Sequence, residues 1–122
     1  MNRSYETVFI VDAAIPGKEI NIIFNNVKKF ITDREGRIVE AVDVGVMKLA
    51  YEIKKKSSGV YNFIEFELAP EFIKDLETFY RRDDRILRSL VCRLDKYGVE
   101  YNVARRKRQE KIFNNQKILS LI

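Results

Sequence analysis

Apolar residues change their spacing along the chain in a way that sorts it into elements. Residues 5–11, "YETVFIV", are β-branched and aromatic with little interruption, which is the composition of a strand. After a turn signal at Pro16 and Gly17, apolar side chains recur at Ile20, Ile23, Phe24, Val27, Phe30 and Ile31. Offsets of 3, 4, 7, 10 and 11 from Ile20 trace one face of a helix. The polar run "TDREGR" ends that helix, and Gly36 is expected to take the left-handed conformation that follows it. Residues 37–53 read as a long strand with a change of phase. Ile38, Val42, Val44 and Val46 are apolar at even positions, Leu49, Tyr51 and Ile53 at odd ones. Side chains on a strand change face at every residue, so one extra residue near Gly45 to Lys48, a bulge, restores the match. A third strand, 59–68, places Val60, Ile64, Phe66 and Leu68 on one side and Tyr61, Phe63, Glu65 and Glu67 on the other, with its first half apolar on both. Pro70 suits the first turn of a second helix, whose stripe is Phe72, Ile73, Leu76, Phe79 and Tyr80. "RILRSLVCRL", residues 85–94, supplies a fourth strand.

The order strand, helix, strand, strand, helix, strand predicts an α+β, ferredoxin-like βαββαβ sandwich: a four-stranded antiparallel sheet with two helices on one face. Two helices cover one side of such a sheet, so the other is expected to be solvated or a docking surface. The first and third strands are central neighbours in this topology. With Thr7, Phe9 and Val11 directed to the helices, Val8 and Ile10 fall on the open face beside Tyr61 and Phe63, a cluster that reads as a partner-binding surface. Residues 1–94 form this domain. Residues 95–122 have no continuous apolar stripe and read as a basic C-terminal extension, either an extended arm or a short helix formed only on contact.

Charge sharpens that division. The chain of 122 residues is 46% hydrophobic, enough for one core, and carries a net charge of +5. Residues 1–94 hold 16 Lys+Arg against 15 Asp+Glu, while residues 95–122 hold 7 against 3. A basic arm on a nearly neutral body most often meets nucleic acid. The candidate RNA-binding cations are Arg3, the triplet Lys54, Lys55 and Lys56 at a hairpin tip, Arg88 and Arg93 on the fourth strand, and Arg105, Arg106 and Arg108 in the extension. Each phosphate they neutralise releases counterions, giving affinity without reading sequence. Lysines at a hairpin tip also serve simply to keep an edge soluble. "SGVYNFIEF", residues 58–66, keeps a glycine and two aromatics of an RNA-recognition strand but not the rest of its signature.

Catalytic chemistry finds little material. There is no histidine, and Cys92 is the single cysteine, which removes zinc sites and Ser/His or Cys/His nucleophile pairs. No metal or cofactor is expected. Five isolated glycines make no phosphate loop. Asp83 and Asp84 lie among arginines in "RRDDR", where capping and surface pairing account for them. An enzyme of the acylphosphatase type has this topology, but it needs a glycine-containing anion loop with an arginine straight after the first strand; "DAAIPGKE" offers neither. Charged residues interrupt every apolar run short of a membrane span and nothing resembles a signal peptide, so a cytosolic protein with no membrane and no small-molecule substrate is expected.

Three stretches together carry a family resemblance: "RSYETVFIV" at 3–11, "VDVGVMKLAYEIKKKSSGVYNFIEFEL" at 42–68 and "DDRILRSLVCRL" at 83–94. In order and spacing they resemble the bacterial ribosomal protein six family of the small subunit. Arg3, Tyr5, Glu6, Gly45, Leu49, Ala50, Tyr51, Gly59, Tyr61 and Arg88 match the family pattern, and "ARRKRQEKIFNN" is similar to the arginine-rich extension of some members. Glu52 stands where the family usually has proline, and Val46 and Met47 replace residues that are often polar or basic. Those departures move the electrostatic role toward Lys48 and the lysine triplet. The resemblance implies a ferredoxin-like fold, no enzymatic activity, a place on the platform of the small subunit, contact with small-subunit ribosomal RNA and pairing with ribosomal protein eighteen. A free ligand-binding regulatory module of the same topology is the alternative reading.

Overall fold

A computed structural model describes the backbone of residues 1–53 and 56–108 and the side chains of residues 1–46 and 58–104. Strand β1 (Arg3–Asp12) is followed by α1 (Gly17–Asp33), β2 (Arg37–Ile53), β3 (Lys56–Leu68), a 3-10 turn (Pro70–Phe72), α2 (Ile73–Arg81), β4 (Ile86–Arg93) and α3 (Lys96–Arg108). The sheet order is β2-β3-β1-β4, with β1 antiparallel to both β3 and β4 and β2 antiparallel to β3. This is the ferredoxin-like arrangement, with β1 and β3 central as expected.

The strand phase also stands. Phe9 and Val11 of β1 meet Val60, Ile64 and Phe66 of β3 in the core under α1 and α2. Phe9 lies between Phe24 and Tyr80, with ring centroids 6.1 and 5.3 Å away. Thr7, fully buried on the same side, shares a 2.8 Å hydrogen bond with the Tyr80 hydroxyl and donates to the Leu90 carbonyl oxygen at 2.9 Å. Burial pushes the Tyr80 phenol well above its usual pKa, and the Thr7 bond offsets part of that. The α1 stripe buries Ile20, Ile23, Val27, Phe30 and Ile31, while Phe24 is half-buried.

The end of α1 differs from expectation by one residue. Glu35, not Gly36, has the positive φ, at 62°. The Gly36 N–H donates to the Ile31 carbonyl at 2.9 Å and that of Glu35 to Thr32 at 3.1 Å, the paired bonds of a Schellman cap. Gly36 is needed for space instead: a Cβ there would sit 2.6 Å from Ile31 Cγ2 and 2.7 Å from the Glu67 carbonyl oxygen.

Strand β2 has its bulge beside Gly45, where the register shifts between Asp43 and Gly45 and φ reaches +99°. The Asp43 carboxylate accepts the Gly45 N–H at 3.0 Å and fixes the kink. Two further register shifts, between Ile38 and Glu40 and between Lys48 and Ile53, were not foreseen.

Two expectations need correction. Residues 96–108 form a helix, where an extended arm or a helix formed only on contact was expected. Its start follows from Asp95, whose carboxylate accepts the Gly98 N–H at 2.7 Å, an N-cap bond. The second correction concerns the face opposite α1 and α2. Val8, Ile10, Tyr61 and Phe63 do lie there together, but they are only 1, 0, 2 and 3% exposed and form a second apolar cluster with Leu87. These four side chains are therefore nearly solvent-free, where the sequence reading placed them on an open face.

Candidate nucleic-acid interface

Antiparallel pairing fixes where the expected cations stand. Arg3 pairs with Leu68 and Arg93 with Tyr5, so both exposed guanidinium groups mark one end of the sheet. The β2–β3 hairpin projects from the other end, beyond the pairing of Asp12 with Gly59. Nine residue steps along β1 lead from Arg3 to Asp12, about 30 Å at roughly 3.4 Å per strand residue. Arg88, also exposed, pairs with Ile10 and stands nearer the hairpin end. The cations expected to act together are thus spread over both ends of the molecule. Lys54 and Lys55 lie outside the described residues, as do the side chains of Lys48, Lys56, Arg105, Arg106 and Arg108, whose backbones belong to β2, β3 and α3.

Some cations are committed within the fold. Arg37 grips Glu67 through two 3.0 Å hydrogen bonds across β2 and β3. That bond holds the Glu67 carboxyl below its ordinary range and raises Arg37. Arg85 donates to both oxygens of Asp83 at 2.9 and 2.8 Å, and Asp83 also accepts the Arg85 backbone N–H. Asp83 is lowered chiefly by the side-chain bond, so the expected surface pairing in "RRDDR" holds for this carboxylate.

Arg81 and Arg82, at the exposed C-terminal end of α2, were missed as candidates because the reading of "RRDDR" treated its arginines as partners of the acids. Arg81 lines a depression with Glu77, Ser89, Leu90 and Val91 along β4.

The sheet face away from α1 and α2 has its own electrostatics. Glu6 pairs with Glu65 and Glu65 with Glu40, so three glutamates form a row across β1, β3 and β2. Glu6 and Glu65 are 3 and 2% exposed. Helix α3 reaches this row: Asn102, fully buried, donates from Nδ2 to Glu6 Oε2 at 3.3 Å.

A groove of about 840 Å³ between α1 and α2 mixes Lys29, Arg34 and Arg82 with Asp33, Asp75 and Asp84. The alternation gives no field of a single sign to hold an anionic ligand. Among the described residues no group of three or more His, Cys, Asp or Glu side chains is placed to hold a metal, and no helix is long and apolar enough to cross a membrane.

Comparison with known proteins agrees with the architecture. The family model described as Ribosomal protein S6 matches residues 4–93. Small ribosomal subunit protein bS6 of Phocaeicola vulgatus is 40% identical over 106 residues, covering 87% of this chain and 92% of that protein. The same-named protein of Flavobacterium johnsoniae is 37% identical over 102 residues, with 84 and 90% covered. The crystal structure of 30S ribosomal protein S6 from Thermotoga maritima superposes with a TM-score of 0.75 at 33% identity, covering 90% of this chain and all of that one. With a fold, a sequence pattern and nearly whole-length relatives in agreement, the chain belongs to the ribosomal protein S6 family, whose members are structural rather than enzymatic.

Proposed function

We propose that this protein is a structural component of the small ribosomal subunit, working in the cytoplasm as part of the ribosome, and that it binds small-subunit ribosomal RNA together with ribosomal protein eighteen. The observation that carries the reading is the family match across residues 4–93. The placement of cations supports the RNA part. Arg3 and Arg93 at one end of the sheet and the β2–β3 hairpin at the other, whose connecting sequence holds Lys54, Lys55 and Lys56, suit two separated phosphate contacts on a folded RNA. Arg88 on β4 and the basic run Arg105, Arg106 and Arg108 in the sequence complete the proposed set of RNA-binding cations. The alternative, a free ligand-binding regulatory module, finds no support in the mixed-charge groove between the helices.

The test is co-sedimentation of the tagged protein with small ribosomal subunits through a sucrose gradient. Co-migration at low salt that weakens as salt is raised is the expected result. Protein that stays at the top of the gradient at low salt would overturn the reading.

A further inference from the structure

Helix α3 holds an exposed aromatic ring in its first turn. Tyr97 is 77% exposed, whereas Tyr101, one turn further, is 37% exposed. The seating of the helix explains the difference. Asn102 is fully buried and donates to Glu6, which fixes the side of α3 that faces the sheet. At 3.6 residues per turn, Tyr97 lies about 140° around the helix from Asn102, on the outer side, and Tyr101 about 100° away, at the margin. Among the described residues the Tyr97 ring has no aromatic or cationic neighbour and its hydroxyl no hydrogen-bond partner.

A single exposed tyrosine is ordinary on a protein surface. Its surroundings are not. The Leu94 N–H donates to the Ser4 carbonyl oxygen at 2.8 Å, continuing the ladder one step past the pairing of Arg93 with Tyr5. The Asp95 carboxylate then accepts the Gly98 N–H at 2.7 Å, and a Cβ on Gly98 would sit 3.2 Å from Leu94 Cδ2, so the first turn of α3 folds tightly against the end of β4. Arg3 and Arg93 stand at the strand ends here, and Lys96 precedes Tyr97 in the turn; all three are exposed. Among the described residues none of the three forms an ion pair. Two acids at this end are engaged elsewhere: Glu67, opposite Ser4, is gripped by Arg37, and Asp95 is the cap. Glu100 follows Lys96 by four residues, yet the two form no ion pair.

Three cations without acidic partners beside a protruding ring match the two halves of a nucleotide. Cations hold a phosphate backbone without reading it, and an aromatic ring offers a face on which any base can stack. In paired RNA both faces of a base are already covered by its neighbours. The ring therefore calls for an unpaired base, which can be splayed out onto an aromatic side chain.

We propose that Arg3, Arg93, Lys96 and Tyr97 form a binding site for single-stranded RNA, with one unpaired base stacked on Tyr97 and its flanking phosphates on the three cations. The site rests on the RNA-binding reading above and gives it a class of nucleotide at this end of the molecule. It also enlists Lys96 and Tyr97, which the sequence reading did not single out.

Full-length protein tests the site with two RNA probes of equal charge, a single strand without internal pairing and a fully paired hairpin. The single strand should bind more tightly and should move the Tyr97 ring-proton signals upfield, as stacking does. Tyr97→Ser should weaken single-strand binding by roughly 5- to 100-fold, the range for one base stacked on an aromatic ring. Tyr97→Phe should keep it, and neither change should alter hairpin binding. Arg93→Gln with Lys96→Gln should weaken both probes and lower the slope of log affinity against log salt by up to about two units. Equal or tighter binding of the hairpin, a Tyr97 ring unmoved by the single strand, or full single-strand affinity in Tyr97→Ser would overturn the proposal. Loss of co-sedimentation with small subunits in Tyr97→Ser, with single-strand affinity unchanged, would assign the ring to a protein contact instead. The wider reading is judged separately. Wild-type protein that fails to co-sediment while its single-strand affinity depends on Tyr97 would remove the ribosome and leave the site; co-sedimentation with single-strand binding indifferent to Tyr97 would do the reverse.

Discussion

The buried hydroxyl pair Thr7 and Tyr80 shows how unequal two ends of one hydrogen bond can be. In Tyr80→Phe, Thr7 still donates to the Leu90 carbonyl, so the loss should be about 1 kcal/mol in urea unfolding, the net value of one bond. Thr7→Val strands the phenol, and should cost about 1 to 3 kcal/mol because a buried polar group without a partner loses its full solvation. The same phenol sets an alkaline limit. Its pKa is raised in the folded state, so its stabilising contribution is complete below about pH 10, where an unfolded tyrosine titrates, and is lost as pH rises beyond that. Tyr80→Phe should flatten the fall of stability above that pH. The acid side has the opposite sign. Asp83 and Glu67 are held below their ordinary range by Arg85 and Arg37, so the stability they add is complete above about pH 4.5 and is lost as pH falls through their depressed values. Because both pairs are substantially exposed, raised salt should reduce that acid sensitivity.

At the scale of elements, the cap of α1 makes a pair of opposite predictions. Gly36→Ala should cost about 1 to 3 kcal/mol, since the new methyl meets a side chain on one side and a strand carbonyl on the other. Glu35→Gly should raise stability by up to about 1 kcal/mol by relieving a left-handed backbone. Thermal or urea unfolding of the two variants checks both. A sequence reading places the glycine correctly near the helix end, but whether it serves conformation or space is settled by Glu67 on β3, more than thirty residues away. Elements with a strong period, such as the α1 stripe and the β1 run, were legible because local pattern and burial agree. Helix α3 was not, because it lacks an apolar stripe; its signal was the single N-cap Asp95, easily overlooked among charged neighbours. The Gly45 kink was legible as a phase change, whereas the shift between Ile38 and Glu40 left no trace in the alternation.

Across the whole molecule, two kinds of basic residue should separate by experiment. Replacing Lys54, Lys55 and Lys56 with alanine should lower the slope of log affinity against log salt for the RNA–partner complex by up to about three units if all meet phosphates. Stability of the free protein should move by less than about 0.5 kcal/mol. The covered sheet face was partly legible as well. The first half of β3 is apolar on both sides, the mark of a strand buried on both. That signal was outweighed by a count of two helices, which leaves one face bare.

The strand order has one more consequence, which concerns synthesis. β1 is made first, yet its neighbours are β3 and β4, so its ladder closes only when residues 56–68 and then 86–93 have been added. Until then one of the most apolar stretches of the chain has no ladder partner, and a nascent protein at that stage is exposed to aggregation. Stalled chains ending before residue 86 should therefore stay protease-sensitive, and chains extended past residue 93 should become resistant in one step. The residues translated last among the strands decide when the first ones are safe.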